Sequence, residues 1–307
     1  MDAMTMPTMH VGQGTHLGAL SVFPVWAESP VVPGMDSGRA ANVQAAEREG
    51  SPVVGELVLK NVGARPALLL AGELFEGGWQ HRALNHDVLL LAGQQMVASV
   101  SCVESGRWHG VGAQVRRGRR ASMLVRSAQT SASAADRQGL VWERVSHYDQ
   151  MLGASATSSY VEHLDRSASR PPQPEAGDQG GALRAGLRAV RALAGQRGVL
   201  IGLGGQPAFL ELFATPAGLR RNLAGLLEAA ALDAELLPDE PTPGRRARRF
   251  VGSLTGVPLA ADGGADAGAG HALAARSRNH EIRALGWDAH LLHASVFNRR
   301  HRLMQVA

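Results

Sequence analysis

Short apolar runs joined by glycine-containing turns are the feature that most constrains the fold of this chain. Three pairs of such runs flank a turn, at residues 83–91 and 95–103, 198–203 and 208–214, and 281–285 and 290–297. Runs of this length, bounded by Gly and containing β-branched residues, are typical of strands that pair as antiparallel hairpins. The sequence therefore predicts a fold with a large content of antiparallel sheet.

The first third of the chain is predicted to be mostly antiparallel sheet. Residues 16–27 are expected to form a first strand, and residues 52–62 alternate in the strand manner before a turn leads into residues 67–72, which predicts another hairpin. From Arg119 onward the apolar residues recur at helical spacing. The predicted class is α+β, with a mostly antiparallel sheet in the N-terminal half and helices with further β-hairpins in the C-terminal half.

Two stretches of biased composition divide the chain. Residues 166–182 are rich in Pro, Gly and Ser, which is typical of a flexible linker, and residues 260–270 are predicted to form a Gly/Ala-rich loop. The expected organisation is one domain over residues 1–307. Within it, residues 10–165 are expected to form a β-rich part that carries the site, and residues 183–300 a part built of helices and hairpins.

Between these two stretches the sequence predicts a short helix at residues 183–193 and a longer helix that begins at Thr215 and Pro216. Thr215 can cap the free amides of the first turn, and Pro216 suits the first helical position. The buried stripe of the longer helix is predicted to be Leu219, Leu223, Leu226, Leu227 and Ala230.

The number of cysteines and the hydropathy of the chain indicate its expected cellular location. Cys102 is the only cysteine, which excludes an intrachain disulfide and a cysteine-based zinc cluster. The N-terminus lacks the basic and apolar regions of a secretory signal, and no apolar run approaches the ~20 residues that cross a bilayer. We therefore expect a soluble cytoplasmic protein that does not associate with a membrane.

The densest polar set in the chain lies on and between the predicted strands of residues 70–109. Its members are Glu73, Glu76, Gln80, His81, Arg82, Asn85, Ser101, Cys102, Glu104, Arg107, Trp108 and His109. If consecutive strands pair as hairpins, the strand ends that carry these residues meet at one edge of the sheet, where loops display functional groups on a rigid scaffold. The sequence predicts a strand-edge site that binds an anionic ligand.

Two blocks in this region carry a family resemblance, LLLAGELFEGGWQHRALNHDVLLLAG and then SVSCVESGRWHG. In this order they are similar to the pattern of the ARG and rhodanese-phosphatase-superfamily-associated protein domain family. The matching positions are Gly72, Glu73, Gly77, Gln80, Arg82, Asn85, Ser101, Cys102, Val103, Glu104, Gly106, Arg107 and Trp108. Gly78, Trp79 and His81 depart from the pattern, so polar contacts are not carried over to these three positions.

The resemblance implies association with ADP-ribosylglycohydrolase and rhodanese-phosphatase proteins, and a role in processing ADP-ribose-derived nucleotides or in RNA repair. An association names neighbouring proteins and does not define a reaction. The expected ligand is an ADP-ribose-like nucleotide or a damaged RNA end, and the expected partner is an ADP-ribosylglycohydrolase-type neighbour. If the protein is an enzyme, it is expected to hydrolyse a nucleotide or a phosphoester.

Glu73 and Glu104 are the candidate catalytic residues of the predicted site. They could form an acid/base pair or hold Mg²⁺ against a phosphate, and the alternative is a pair of solvated or arginine-paired carboxylates.

The candidate ligand-binding residues are Gln80, Arg82, Asn85, Ser101, Arg107, Trp108 and His109. The two arginines would hold phosphate, the two amides would orient a ribose or a base, and the indole of Trp108 would provide a stacking surface.

Cys102 and Arg107 have the spacing of a loop that cradles an oxyanion above a nucleophilic thiolate. Glu104 inside this loop would repel an anion, and no helix clearly follows to lower the thiol pKa, so a buried and unreactive Cys102 is favoured. His81 and His86 do not complete a ligand set, so no metal site is predicted.

Arginines follow the polar set at 116, 117, 119, 120 and 126, with no acidic residue between Glu104 and Asp136. Lys60 is the only lysine, so almost every positive side chain of the protein is an arginine. This stretch could steer RNA or a pyrophosphate toward the site, and the alternative is a solvated basic loop.

Three functional hypotheses are compatible with the sequence. The first is a protein that binds, and hydrolyses or rearranges, an ADP-ribose-like nucleotide or a damaged RNA end. The second is a non-catalytic ligand- or protein-binding module that works with a neighbouring enzyme. The third is a polar network that only fixes the register of the sheet.

Overall fold

The computed structural model describes residues 4–48, 50, 53–110, 113–131, 134–169, 179–263 and 265–305. Its strands are β1 (Thr8–Val11), β2 (Thr15–Leu17), β3 (Leu20–Glu28), β4 (Asp36–Ser37), β5 (Val43–Ala46), β6 (Glu56–Asn61), β7 (Ala67–Leu69), β8 (Leu74–Gly77), β9 (Arg82–Leu84), β10 (Val88–Leu90), β11 (Gln95–Cys102), β12 (Ala113–Val115), β13 (Gly198–Leu203), β14 (Gln206–Phe213), β15 (Ala260–Ala261), β16 (His271–Arg276), β17 (His280–Trp287) and β18 (His290–Asn298). Its helices are α1 (Met123–Ser131), α2 (Ala134–Leu152), α3 (Tyr160–Ser169), α4 (Gln179–Ala189), α5 (Pro216–Ala234) and α6 (Gly244–Gly252).

Within these ranges, helices and predominantly antiparallel sheets confirm the predicted α+β class. The strands form a nine-stranded sheet, a three-stranded sheet and a closed barrel. The chain divides into two compact units. The first comprises Met1–Pro33, Ala168–Gly264 and Gly270–Ala307, and the second comprises Gly34–Ser167 and Ala265–Ala269.

The first unit is built on the nine-stranded sheet, in the order β1-β3-β13-β14-β18-β17-β16-β15, with β2 beside β3. Leu210 and Leu212 of β14 pack into one hydrophobic cluster with Ala247 and Val251 of α6. The helix α5 packs on β3, β13 and β14, and its predicted apolar stripe is buried. Thr215 Oγ1 accepts a hydrogen bond of 2.8 Å from the Gly218 amide, which confirms the predicted cap.

Residues 16–27 do not form a single strand, which corrects the prediction. Gly18 adopts a φ of +61°, a conformation that favours glycine, at the turn of the hairpin between β2 and β3. β3 pairs with β1 and β13. The first long strand therefore lies in the sheet of the C-terminal strands and not with the β-rich residues that follow it.

The hairpins β13–β14 and β17–β18 form as predicted. The helix predicted at residues 183–193 is observed earlier in the chain, as α4. The Leu193 amide donates to Gln196 Oε1 at 2.8 Å, and this local turn takes the end of the predicted segment out of the helix.

The two stretches of biased composition have different outcomes. Of the predicted linker at residues 166–182, the first residues extend α3 and the last begin α4, while 170–178 lie outside the described residues. The Gly/Ala-rich stretch is partly ordered by backbone pairing. Its first residues form β15 against β16. Further along, the Leu89 amide donates to the Ala267 carbonyl at 3.0 Å, an ordinary length for a backbone hydrogen bond.

The second unit is built on the closed barrel, in which the strands follow the order β11-β6-β5-β12-β8-β9. β11 closes it by pairing with β6 along its first half and with β9 along its second half. Leu57, Leu59, Phe75, Leu84 and Val100 belong to one buried apolar cluster that fills the interior. The three-stranded sheet β10-β7-β4 belongs to the same unit.

Two predicted hairpins of this unit are wrong. β6 does not pair with β7, and residues 83–91 divide into β9 and β10, of which only β9 pairs with β11. Asn61 at the end of β6 shows how these turns are held. Its Nδ2 donates to the carbonyls of Arg65, Leu90 and Leu91, so the chain leaves the barrel at both turns to form the smaller sheet.

The helices α1 and α2 confirm the predicted change to helical structure after the sheet region. The side-chain amide of Gln138 on α2 bonds to the backbone of β11 as a neighbouring strand would. Its Oε1 accepts from the Cys102 amide and its Nε2 donates to the Cys102 carbonyl, both at 2.8 Å. The exposed edge of β11 is thereby paired. None of the helices in the described ranges is long and apolar enough to span a membrane.

Candidate functional site

Polar side chains occupy one end of the barrel interior. Arg82 on β9 is the register partner of Phe75 on β8, and Phe75 belongs to the apolar interior. Gln114 on β12 is likewise the partner of Ala45 on β5, another interior residue. Because partners in an antiparallel ladder point to the same face of the sheet, Arg82 and Gln114 point inward.

Gln80 and Glu47 complete this set, which we call the polar barrel end: Glu47, Gln80, Arg82 and Gln114. Gln80 lies just before β9 and Glu47 just after β5, and hydrogen bonds join Gln80 to Arg82 and Glu47 to Gln114. The four residues are 8%, 2%, 0% and 8% exposed, respectively. The barrel interior is thus apolar at one end and hydrogen-bonding at the other.

Arg82 is the centre of the polar barrel end. Its Nη1 donates to Gln80 Oε1 at 2.8 Å, and its Nη2 lies 3.6 Å from Glu47 Oε1. Gln114 Nε2 donates to Glu47 Oε1 at 3.1 Å and to the Gln80 carbonyl at 3.2 Å. A buried guanidinium and a buried carboxylate therefore face each other inside the barrel.

Several buried polar atoms of this set have no hydrogen-bond partner among the described residues. They are Arg82 Nε and Nη2, Glu47 Oε2 and Gln114 Oε1. Buried polar atoms are nearly always hydrogen-bonded, because an unsatisfied one costs about 1–3 kcal/mol. Four such atoms therefore lie together on three neighbouring side chains of the polar barrel end.

Two tryptophans lie beside the polar barrel end. The Arg82 Cζ atom is 5.8 Å from the ring centroid of Trp108, within the range of a cation–π contact. Trp108 meets Trp79 edge to face, with the ring centroids 5.8 Å apart, and is 45% exposed. The indole of Trp108 therefore has one side toward the buried guanidinium and a large part open to solvent.

Gly78 makes room for the amide of Gln114. A Cβ atom at position 78 would lie 1.9 Å from Gln114 Nε2, and Gly78 has a φ of +56°. Only glycine fits this backbone position without moving a member of the polar barrel end. The departure of Gly78 from the family pattern thus has a packing reason.

Glu104 forms a second, closely bonded cluster next to the first. Its carboxylate accepts from Arg107 Nε at 3.0 Å and Nη2 at 2.7 Å, from Thr157 Oγ1 at 2.7 Å and from the His81 amide at 3.0 Å. Burial by itself would raise the pKa of this carboxyl, but the hydrogen bonds from Arg107 and Thr157 outweigh it and hold the pKa below its ordinary value. Gln80 links the two clusters by donating to the Glu104 carbonyl at 2.8 Å.

Every N–H group of Arg107 is used within the protein. Besides the two bonds to Glu104, its guanidinium donates to the carbonyls of Gly77, Gly78 and His109. Since a guanidinium has five N–H donors, Arg107 fixes the loop around Trp108 and has no donor left over.

His81 is held as a neutral side chain in this region. Its Nδ1 accepts from the Gly77 amide at 3.0 Å, so the ring proton is on Nε2, which faces Glu104 at 3.7 Å. Burial is the largest influence on His81 and lowers its pKa.

Two further buried carboxylates of the predicted polar set, Glu73 and Glu76, are each paired with arginines of the basic stretch. Glu73 accepts from Arg116 Nε at 3.1 Å and also from its Nη2. Glu76 accepts from Arg119 Nε at 2.9 Å, and Arg117 Nε lies 3.2 Å from it. Several guanidinium groups of the arginine-rich stretch therefore neutralise carboxylates of the barrel unit, while the side chain of Arg117 is 62% exposed.

The predicted catalytic pair Glu73 and Glu104 is not brought together. The Leu84 amide donates to the Glu73 carbonyl, whereas the His81 amide donates to the Glu104 side chain. The Glu73 carboxylate is bonded to Arg116 and the Glu104 carboxylate to Arg107, so each has a different arginine as its partner.

These residues do not fit a Mg²⁺ site. Glu73 and Glu104 are each bonded to a separate arginine, and the described ranges contain no group of three or more His, Cys, Asp and Glu side chains placed to hold a metal ion.

Asn85 and Ser101 lie on the outer face of the barrel wall. Ser101 Oγ donates to Asn85 Oδ1 at 2.7 Å, Asn85 Nδ2 donates to Ser99 Oγ at 2.9 Å, and Gln129 of α1 donates to Asn85 Oδ1 at 3.1 Å. They are separated by the sheet from Arg82, as strict alternation from residue 82 to 85 requires. They join the barrel to α1.

Cys102 is fully buried at the end of β11, opposite Arg82 in the ladder. Its Sγ donates to the Glu104 carbonyl at 2.7 Å, and burial is the main reason that its pKa is raised. A thiol in this state is a poor nucleophile.

Of the other predicted residues, Gln80, Arg82, Glu104, Arg107 and Trp108 come together around one end of the barrel. His109 is exposed beside them and contributes its carbonyl to Arg107.

Glu47 and Gln114 were missed by sequence reasoning. Glu47 follows residues 43–46, for which no strand was predicted but which form β5. The alternation of Val43, Ala45 and Glu47 is the signal that could have found it, because it continues one face of a strand. Gln114 has no comparable signal in its short strand.

The fold and the site together define an α+β protein with a closed barrel whose interior is polar at one end. The family described as ARG and Rhodanese-Phosphatase-superfamily-associated Protein domain matches residues 8–297, so the chain belongs to this family and the resemblance of the two sequence blocks is confirmed. The family description names an association with ARG and rhodanese-phosphatase-superfamily proteins. Comparisons with curated proteins and with solved structures give no match.

Proposed function

We propose that this protein binds an ADP-ribose-like nucleotide, or the chemically related end of a damaged RNA, at the polar barrel end. In this proposal it is a ligand-binding module that works with a partner enzyme of the ADP-ribosylglycohydrolase type. The observation that carries the proposal is the buried guanidinium of Arg82, whose Nε and Nη2 have no hydrogen-bond partner among the described residues and which lies against the indole of Trp108.

A nucleotide has the combination of groups that such a site selects. Its base and ribose offer flat or compact rings for contact with an indole, and stacking on an aromatic side chain is worth about 1–3 kcal/mol per base. Their edges carry donors and acceptors that match the unsatisfied atoms of Arg82, Glu47 and Gln114. The exposed part of Trp108 gives a ligand its first contact with the protein.

Binding without turnover is the better-supported function, because the two candidate carboxylates are poorly suited to catalyse hydrolysis. A general acid needs a proton near neutral pH, and a general base needs a free lone pair close to the substrate. The lowered pKa of Glu104 keeps it ionised, and its oxygens are occupied by Arg107, Thr157 and the His81 amide. Glu73 is bonded to Arg116 away from the polar barrel end. The chemistry is therefore assigned to the partner enzyme, in keeping with the association that the family description names.

Calorimetry with the full chain tests this proposal. ADP-ribose and a short RNA that ends in a 2′,3′-cyclic phosphate are titrated into the wild type and into the variant Trp108→Ala. We expect binding of at least one of the two by the wild type, and an affinity about tenfold lower in the variant because the stacking surface is lost. Trp287→Ala is the control, since Trp287 is a partly buried residue at the end of β17 in the first unit, whereas the polar barrel end belongs to the second.

The results separate the functional hypotheses. Absence of binding by the wild type, or equal losses in the two tryptophan variants, would refute the proposed site. Conversion of the bound nucleotide in the presence of Mg²⁺ or Mn²⁺ would replace the binding module by an enzyme. If the polar set only fixes the sheet register, Arg82→Met should lower stability and no ligand should change the melting temperature of the wild type.

A further inference from the structure

We infer that the polar barrel end receives the uncharged ring end of its ligand, either the vicinal hydroxyls of a ribose or the edge of a base, and that the phosphates stay outside. This inference rests on the proposed function and names the part of the ligand that the buried residues recognise. It reverses the simplest expectation for an arginine in a nucleotide site, which is contact with phosphate.

The charge of the polar barrel end disfavours a phosphate. Arg82 and Glu47 are both buried and face each other at 3.6 Å, so the guanidinium already has a carboxylate as its counter-charge. A phosphate at the unused Arg82 donors would bring its negative charge next to Glu47 in a place with little water to screen the repulsion. A ring without charge meets no such penalty.

Arg107, the other arginine beside the polar barrel end, has no free donor for a phosphate. All five of its N–H groups donate to Glu104 and to the carbonyls of Gly77, Gly78 and His109. A phosphate could bind Arg107 only by breaking these bonds, which would also release the loop that carries Trp108.

The atoms without a hydrogen-bond partner at the polar barrel end include both donors and acceptors. Arg82 offers donors at Nε and Nη2, whereas Glu47 Oε2 and Gln114 Oε1 are acceptors. Each hydroxyl both donates and accepts, so a vicinal diol can bind all four atoms, and a base edge also presents neighbouring donors and acceptors. An ionised phosphate accepts only, so it would leave both oxygens without a partner.

Calorimetric competition with four probes tests the inference. The full wild-type chain is titrated with ADP-ribose, adenosine, ribose and inorganic pyrophosphate, at low and at raised ionic strength. We expect ADP-ribose to be displaced by adenosine or by ribose, with little effect of salt, and not by pyrophosphate. Adenosine displacing and ribose failing would assign the base, whereas displacement by ribose would assign the diol.

Glu47→Gln is the decisive variant, because it leaves the buried Arg82 without its counter-charge at nearly constant side-chain size. We expect binding of the ring probe to weaken about tenfold. Binding of pyrophosphate should appear at the same time. Glu56→Gln is the matched control, since Glu56 pairs with Arg48 at the barrel surface and its side chain is 35% exposed. This control should change neither affinity.

Gln114→Met is the second variant, in case Glu47→Gln does not fold by circular dichroism. It removes one acceptor and adds no charge, so it should weaken the ring probe about tenfold and should not create pyrophosphate binding.

Each outcome has a distinct meaning. If ADP-ribose binds and pyrophosphate displaces it as well as the ring probes do, the inference is overturned while the proposed function stands. If a ring probe binds but neither ADP-ribose nor the RNA with a 2′,3′-cyclic phosphate binds, the proposed function fails while the preference of the buried residues for a ring stands. If neither the four probes nor the RNA binds, both are overturned.

Discussion

Replacement of Arg107 by Met should destabilise the barrel unit, because it leaves a buried carboxylate without its counter-charge. Glu104 is 3% exposed, and Arg107 donates to it from Nε at 3.0 Å and from Nη2 at 2.7 Å. Removal of one partner from a buried ion pair costs about 3–5 kcal/mol. The Arg107 side chain is 20% exposed and Thr157 remains bonded to Glu104, so we expect the low end of this range, about 3 kcal/mol.

Hydrogen exchange is the appropriate assay for this loss. The chain has two compact units, so a single two-state transition is not assured, and exchange of peptides that cover residues 100–109 reports local opening. Urea unfolding followed by circular dichroism gives the accompanying global change. Exchange in these peptides should become faster in Arg107→Met, because the local free energy of opening falls.

A second substitution isolates the cause. Glu104→Gln in the Arg107→Met background removes the stranded charge and should recover about 1–2 kcal/mol of the free energy of opening. Arg166→Met is the matched control, since Arg166 pairs with Glu162 on the surface of α3 and exposed pairs of this kind contribute about 0.3–0.5 kcal/mol. A loss below about 1 kcal/mol in Arg107→Met, or no recovery in the double variant, would show that the buried pair does not stabilise this end of the barrel.

Three further outcomes follow from the same region. The depressed pKa of Glu104 contributes stability that is fully present above the ordinary value of 4.5 and is lost as the pH falls through the lower folded pKa, so urea midpoints should decrease with acidification in that window. Gly78→Ala should lower stability by about 1–3 kcal/mol in thermal or urea unfolding, because the new Cβ meets Gln114 and the residue keeps a positive φ. Cys102 should react slowly with iodoacetamide in the folded protein and readily in urea, as followed by mass spectrometry, because burial raises its pKa and shields the sulfur.

Each of these outcomes has its own control. Glu104→Gln should lose the acid-dependent part of stability, and an unchanged pH profile in that variant would assign the effect to other groups. Gly93→Ala separates strain from clash, since Gly93 has a φ of +75° with open space around its Cβ position, and an equal cost at both glycines would argue against the contact with Gln114. Alkylation of native Cys102 at the rate seen in urea would contradict its burial.

Local features of the fold could be predicted because they depend on neighbouring residues. The hairpin around Gly204 needs only two apolar runs and a turn that tolerates positive φ. The start of α5 needs only Thr215 and Pro216 at adjacent positions. The inward face shared by Gln80 and Arg82 also follows from strand alternation, as does the opposite placement of Asn85.

Long-range pairing decided the strand partners that the sequence misplaced. The strand β3 has its partners in β1 and β13, and β11 divides its pairing between β6 and β9. Apolar runs of similar length and composition can pair with several others, so the pattern does not select the partner. For this reason the closure of the barrel could not be predicted from the order of the apolar runs in the sequence.

The sequence by itself determined the α+β class, the local hairpins and caps, and the region that carries the polar residues. Only the tertiary structure decided which of those residues meet. Closure of the barrel brings Glu47 and Gln114 to Arg82 across 35 and 32 residues of chain, and gives Glu104 and Glu73 to different arginines. The physical reason is that a buried charge is stable only with a partner in contact, and that partner is supplied by strand pairing, which the local pattern does not encode.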